Sequence, residues 1–311
     1  MDRILITGAV GQIGIELTEG LLSRFPASRV VASDIRSAAG APADIRYLDI
    51  TDKAQIARLV MEERIDTIFH LAALLSARGE QNPQLAFAVN LGGLLNVLEV
   101  ARQHGVKKVI MPSTIGAFGP DTPKIDTPDD TLMRPTSMYG ITKLAGELLL
   151  EYYSRRSGID GRSLRFPGII SSRTEPGGGT TDWADDFYRK AVRGEKAICF
   201  LRADTRLPFM YMPDAVEALI GLALAERSRL SRSVYNVHSL TLAPTELAKF
   251  LQSIFPDFEP LYQPDSRQAI ADSWPQSLDD HHARTDWDWS PQYDLERMTA
   301  DMLKNLKPKR G

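Results

Sequence analysis

Short apolar runs alternate with stretches of helical periodicity through the first half of the chain. Residues 3–7, 30–33, 67–71, 106–112 and 162–166 predict strands, and residues 13–24, 53–64, 83–104 and 137–157 predict helices between them. Such alternation implies a parallel sheet wrapped by helices, because each strand needs a crossover to return in the same direction. The helix predicted from Pro83 carries Leu85, Val89, Leu94, Leu95, Leu98 and Ala101, a stripe wide enough for the sheet and for a second subunit. Beyond Phe166 the pattern turns irregular. Residues 171–182 are polar and glycine-rich, 184–194 and 245–254 predict helices, 210–212 a short strand leading into a helix over 214–225, and 234–237 a strand returning to the main sheet. An aromatic tail around Trp274, Trp287 and Trp289 suits a smaller lobe over the strand ends.

Composition narrows the partners. The chain has 311 residues, 25% charged and 43% hydrophobic, with a net charge of -3 that offers no basic field for nucleic acid or a membrane surface. Small molecules or other subunits are expected instead. Cys199 is the only cysteine, so an intrachain disulfide and a zinc site of several thiolates are excluded, and no metal is expected. The strand-like run from Arg3 leaves no room for a signal peptide and no apolar stretch is expected to span a membrane, so a cytoplasmic location is expected.

The first strand leads into Thr7-Gly8-Ala-Val-Gly11-Gln-Ile-Gly14 and then directly into a helix. Glycines there permit a tight turn, so that a pyrophosphate can sit against free N–H groups at the helix N-terminus, with Gln12 and Ile13 among them. Asp34, twenty residues beyond Gly14, ends the second strand. Its carboxylate can accept from an adenosine ribose and repels a 2′-phosphate, which points to NAD. Arg36 is expected as a solvated surface charge. Asp49 and Ile50, then Leu71, Ala72 and Ala73, stand at further strand ends where a cofactor lies, while His70 is expected to be packed and without a role. The fold expected is α/β, a doubly wound parallel Rossmann-type sheet with a smaller C-terminal substrate lobe. Residues 1–168 would bind NAD and 169–311 the substrate, with segments near 209–237 returning to the first domain.

Tyr139-Gly-Ile-Thr-Lys143 places a phenol and an ammonium four residues apart on one helix face. A phenol of reference pKa ~10 is a poor base near neutrality, and a nearby cation favours its ionised form. Twenty-five residues earlier Thr114 ends a strand, where its hydroxyl can bond the oxygen of a reacting alcohol while Tyr139 removes the proton.

Together Gly8, Gly11, Gly14, Asp34, Leu71-Ala72-Ala73, Asn90, Thr114 and Tyr139-x-x-x-Lys143 resemble the extended short-chain dehydrogenase/reductase family, which includes sugar-nucleotide epimerases and dehydratases. Four further segments resemble the short-chain type of NAD-dependent L-threonine 3-dehydrogenase: Ala73-Leu-Leu-Ser76-Ala-Arg-Gly-Glu80, Phe166-Pro167-Gly168-Ile-Ile-Ser171, Pro176-Gly-Gly-Gly-Thr180-Thr181-Asp182 and Arg267-Gln-Ala-Ile-Ala-Asp-Ser-Trp274-Pro275. Where sugar-nucleotide epimerases usually carry Asn in an R-x-x-N pattern, this chain reads Arg165-Phe-Pro167-Gly168. The resemblance implies oxidation of L-threonine, with Tyr139 as base, Lys143 lowering its pKa and binding the nicotinamide ribose, and Thr114 steadying the oxygen. It also implies cofactor contacts at Asn90 and Pro167 and a homodimer through the helices at 83–104 and 137–157. For the amino acid itself, Ser76, Gly179, Thr180 and Thr181 offer hydroxyls and N–H groups to a carboxylate and Asp182 an ammonium partner. Arg206 is either a second carboxylate partner or part of a salt bridge, Arg267 and Trp274 pack the tail, and His281 and His282 are solvated. The alternatives are a sugar-nucleotide epimerase or dehydratase and, from another class, a non-catalytic NAD-binding regulator.

Overall fold

The apolar runs pair side by side. In the computed structural model, which describes residues 1–174 and 177–306, the first half supplies β1 (Ile4–Thr7), β2 (Val30–Asp34), β3 (Ile45–Tyr47), β4 (Thr67–His70), β5 (Lys108–Thr114) and β6 (Asp160–Phe166). The second half adds β7 (Gly168–Ile170), β8 (Ile198–Cys199), β9 (Leu207–Tyr211), β10 (Val234–Asn236), β11 (Leu240–Leu242) and β12 (Leu261–Tyr262). Seven of these form one sheet in the order β10-β6-β5-β4-β1-β2-β3, with every pairing parallel. The strand order reverses beside β1, so the crevice between the C-terminal ends of β1 and β4 is where such a sheet takes a ligand.

Helices cover both faces. They run α1 (Gln12–Leu22), α2 (Lys53–Glu62), α3 (Ser76–Gln81), α4 (Pro83–Ala86), α5 (Gly93–His104), α6 (Met138–Ser157), α7 (Trp183–Arg193), α8 (Met212–Leu224), α9 (Pro244–Gln252), α10 (Arg267–Ser273), α11 (His281–Trp287) and α12 (Leu295–Leu306). The period of two along β1 decides which strand residue meets which layer. Ile4 and Ile6 pack with Leu17 and Leu21 of α1 and Leu219 of α8, whereas Leu5 packs with Leu59 of α2, Leu98 of α5 and Leu150 of α6. A third core, around Trp183, Phe187, Phe209, Leu247, Phe258 and Trp274, belongs to the second lobe, where β7, β9 and β11 form a small sheet.

Several expectations are adjusted. The helix predicted over 83–104 is helical throughout but widens into a π-helical turn, Phe87–Gly92, between α4 and α5. At 22 residues and mean hydropathy 1.4 it does reach membrane-spanning length, contrary to the sequence expectation. Its Leu94, Val97, Leu98 and Ala101 are buried against the sheet, as in a core helix. β5 runs past Pro112 to Thr114, which carries the Thr114 hydroxyl to the very end of the strand. The unpredicted β3 is short and half-exposed, and the strand predicted at 210–212 starts earlier, at Leu207.

Candidate active site

The glycine turn has a steric cause. Gly8 holds φ at +73°, and a Cβ there would lie 2.7 Å from the Ala72 backbone nitrogen, so the turn and the end of β4 touch through backbone. A Cβ on Gly14 would strike the Gly8 carbonyl oxygen. The start of α1 is therefore drawn up under the turn. Gly11 caps this helix without a side-chain bond, and the N–H groups of Gln12, Ile13 and Gly14 have no carbonyl one turn earlier to bind. A pyrophosphate fits these donors and the positive end of the helix.

Asp34 is buried at the end of β2, where its carboxylate accepts from Val10 N at 3.1 Å, Arg36 N at 3.0 Å and Arg36 Nε at 3.4 Å. The ribose acceptor expected from the sequence thus also braces the glycine turn. Arg36 is exposed, as expected of a solvated charge, while its Nε reaches Asp34. Asp49 accepts from Thr51 N at 2.9 Å and Thr51 Oγ1 at 2.7 Å, and Ile50 is buried against Gly93, where a Cβ would clash. Leu71 N donates to Thr7 O at 3.1 Å, and Ala72 and Ala73 follow, half-buried. Pro167 is buried between β6 and β7. His70 meets Thr7 Oγ1 at 2.9 Å, and burial, then the Lys143 charge, pull its pKa down to about 3, so it is the neutral, packed histidine expected. Asn90 lies in the π turn, accepts from Leu74 N at 2.7 Å, and donates to Leu74 O at 3.0 Å and Thr142 Oγ1 at 3.2 Å. Its amide is spent on tying the chain beyond β4 to α6.

The last three residues of β5 each engage a different turn of α6. The Pro112 carbonyl accepts from Lys143 Nζ at 2.7 Å, the Ser113 hydroxyl donates to Glu147, and the Thr114 hydroxyl bonds the Tyr139 phenol. Close approach is possible because Gly140 has no side chain: a Cβ there would strike the Gly116 carbonyl. Ser137 caps the helix by accepting from Gly140 N at 3.1 Å. Tyr139 is partly exposed as a residue, yet burial of its phenol pushes the pKa up to about 12, opposed by the Thr114 bond. Lys143 is 8% exposed, and burial pulls it down to about 8 against the pull of Glu147. Its Nζ stands 5.8 Å from the Tyr139 ring centre. Burial thus dominates the phenol in this arrangement, and no lowering by Lys143 accompanies it.

The loop that begins the second lobe lies by Leu75 at Gly177 and by Gly168 at Thr181. Ser76 is buried at the start of α3, Thr180 is buried, and Thr181 packs its methyl where a Cβ on Gly168 would otherwise stand. The N–H groups of Gly178 and Gly179 donate to Asp182 Oδ2 at 2.7 and 2.6 Å. Those donors, expected to await a substrate carboxylate, are thus taken by the neighbouring carboxylate expected to meet an ammonium. Pro176, which opens the motif, lies outside the described residues. Arg206 pairs with Glu246, Arg267 stacks on Phe200 with its guanidinium carbon 3.2 Å from the ring centre, and Trp274 is buried. His282, expected in solvent, reaches the buried Asp129 at 2.9 Å, while His281 pairs with Asp279. Sequence reasoning missed Ser113, Glu147 and Arg165 as parts of the site. The available signal was Glu147 itself, one turn beyond Lys143 on a face that also carries Tyr139.

A parallel sheet with a glycine turn at its switch point, an acid at the end of β2 and a hydroxyl, phenol and ammonium between β5 and α6 define a dinucleotide-dependent enzyme of alcohol or carbonyl groups. The chain belongs to the NAD dependent epimerase/dehydratase family, whose model matches residues 4–237. An uncharacterized epimerase/dehydratase of Staphylococcus saprophyticus is 47% identical over 99% of this chain and 98% of its own. The holo form of a GalE-like L-threonine dehydrogenase from Cupriavidus necator matches 98% of this chain and 100% of its own at 47% identity, with a TM-score of 0.96. A monomeric L-threonine 3-dehydrogenase from a metagenome matches 98% of this chain and 99% of its own at 43% identity, with a TM-score of 0.95. The family expected from the glycine turn, Asp34 and the Tyr139–Lys143 pair is the one found, and NAD is the cofactor its description names.

Proposed function

We propose that this chain is an NAD-dependent L-threonine 3-dehydrogenase that converts the 3-hydroxyl of L-threonine to the ketone of L-2-amino-3-oxobutanoate. The observation that carries the reading is the end-to-end match, through the substrate lobe as well as the sheet, to threonine dehydrogenases. Gly8, Gly11, Gln12, Ile13, Gly14 and Asp34 would hold the pyrophosphate and adenosine ribose of NAD, with Asp49, Ile50, Leu71, Ala72, Ala73 and Pro167 as walls and Asn90 as brace. Lys143 would bind the nicotinamide ribose. NAD when bound supplies the acceptor for the hydride that leaves C3.

Tyr139, as phenolate, takes the hydroxyl proton, and Thr114 donates a hydrogen bond to the same oxygen as it becomes a carbonyl. Two electrons leave with the hydride and the proton leaves through the phenol, so the oxidation balances. Ser76, Gly179, Thr180 and Thr181 orient the amino acid, whose carboxylate competes with Asp182 for the Gly179 N–H. Residues 1–168 form the NAD-binding domain and 169–311 the substrate lobe, with 209–237 returning to the first. A cytoplasmic homodimer through α5 and α6 completes the reading, supported by exposed Leu95, Ile141, Leu148 and Tyr152 on those helices.

The deciding assay is NAD reduction by the purified protein with L-threonine, allo-threonine, serine and a UDP-sugar side by side. Turnover with L-threonine is expected. Turnover or thermal protection with the UDP-sugar alone would favour an epimerase or dehydratase.

A further inference from the structure

We infer that Glu147 is a positioning residue of this site: through Ser113 it fixes the strand end that presents Thr114, and it sets a paired carboxylate one helical turn from Lys143. The inference rests on the functional reading above. Glu147 is 3% exposed, and a carboxylate at that depth costs several kcal/mol unless it is fully paired. It is paired on two sides. The Ser113 hydroxyl donates to Oε1, while Arg165 donates through Nε at 3.0 and 3.2 Å and through its NH2 group at 2.8 Å. Arg165 is held in turn by the Asp129 carbonyl at 2.6 Å and lies 5.1 Å over the Phe118 ring. The carboxylate is therefore held in place one helical turn from Lys143.

The arrangement does more than fill space. Tyr139, Lys143 and Glu147 succeed one another at four-residue intervals on α6, and Thr114, Pro112 and Ser113 of β5 receive them in the same place. An apolar side chain at 147 would take from Lys143 the carboxylate one turn away and from the buried Arg165 its partner. Among the described residues, the groups facing Lys143 are Tyr139 and Glu147 on its own helix, neutral His70 on β4 and the Pro112 carbonyl on β5. Behind Glu147 stand Ser113, Arg165 on β6 and, beyond Arg165, Asp129. Burial alone drives the ammonium toward its neutral form, and Glu147 is the charge that opposes this.

The test compares Glu147→Gln with Glu147→Asp, and with the double variant Glu147→Gln/Arg165→Met, which leaves no unpaired guanidinium and keeps the test open if the single variant does not fold. Turnover and NAD affinity by calorimetry are followed from about pH 6 to about pH 10. In Glu147→Gln the fall on the alkaline side should move to lower pH by roughly one pH unit in both readouts, with turnover down about fivefold at pH 8. Glu147→Asp should return the fall to its original position, and the double variant should recover melting temperature while keeping the displaced fall. A wild-type alkaline limb in Glu147→Gln or the double variant, with only the melting temperature lowered, overturns the inference. If the wild-type protein does not oxidise threonine the functional reading fails, and the NAD-affinity curve still decides the role of Glu147.

Discussion

Tyr139 has to give up a proton where burial holds its pKa up to about 12, and Lys143 has to keep one where burial pulls its pKa down to about 8. The two demands oppose each other along the pH axis. A base works deprotonated, so turnover should rise as pH rises toward the phenol's range. An ammonium works protonated, so the rise should flatten or reverse above about pH 8. A rate that climbs without inflection up to about pH 10 would mean that the Lys143 charge has no part in turnover. Removing the phenol tests the other half. Tyr139→Phe should lower kcat by about 10²-fold or more while NAD affinity, measured by calorimetry, stays within a few-fold. The residue types at these positions were legible because chemistry selects them. Their electrostatics were not, because desolvation depends on what the rest of the chain packs around them.

At the level of elements, contacts between backbones decide which glycines matter. Gly14→Ala drives a methyl into the Gly8 carbonyl, so the turn must open; a loss of about 1–3 kcal/mol is expected in chemical denaturation, together with weaker NAD binding. The strands β1, β2, β4 and β6 and the helices α1, α2 and α6 were readable because each buries a continuous face on one sheet. The strands that escaped have a common cause. The short β3, β7, β8, β11 and β12 take their shape from partners distant in sequence and carry too few residues for periodicity to register. The loop at 177–182 holds a contact its residue types do not announce: Asp182 lies close enough to take the N–H groups of Gly178 and Gly179.

Across the whole molecule, polar bonds from α1 fasten the two lobes together. Glu16 accepts from the Ser171 hydroxyl at 2.9 Å and Glu19 pairs with Arg173, while within the second lobe Asp185 of α7 holds the same Ser171 by accepting from its N–H at 2.8 Å. Burial raises the pKa of Glu16 and, well above the usual range, that of Asp185. An acid whose folded pKa exceeds its unfolded one stabilises the fold below the ordinary carboxylate range, and that contribution is lost as pH rises through the folded value. Asp185→Asn keeps an acceptor for Ser171 N without the buried charge. Its melting temperature should exceed wild type by on the order of a few degrees at pH 8, and match it at about pH 4, by calorimetry. For assembly, light scattering should give twice the chain mass, and Leu148→Glu on the exposed face of α6 should halve it. The metagenome relative is described as monomeric, so this prediction separates two behaviours within one fold.

The π turn at Phe87–Gly92 holds one residue more than an α-helical turn, which makes it the place in the segment from Pro83 to His104 where a change of length can be taken up. One residue of an α-helix turns the chain by about 100°. Deleting a residue between Leu94 and Leu98 in α5 would rotate one of them off the buried face, whereas a deletion inside the π turn that spares Asn90 would leave an ordinary α-helical turn with both halves in register. A one-residue deletion in the turn that spares Asn90, whose amide ties Leu74 to α6, should leave soluble expression intact, whereas one between Leu94 and Leu98 should abolish it.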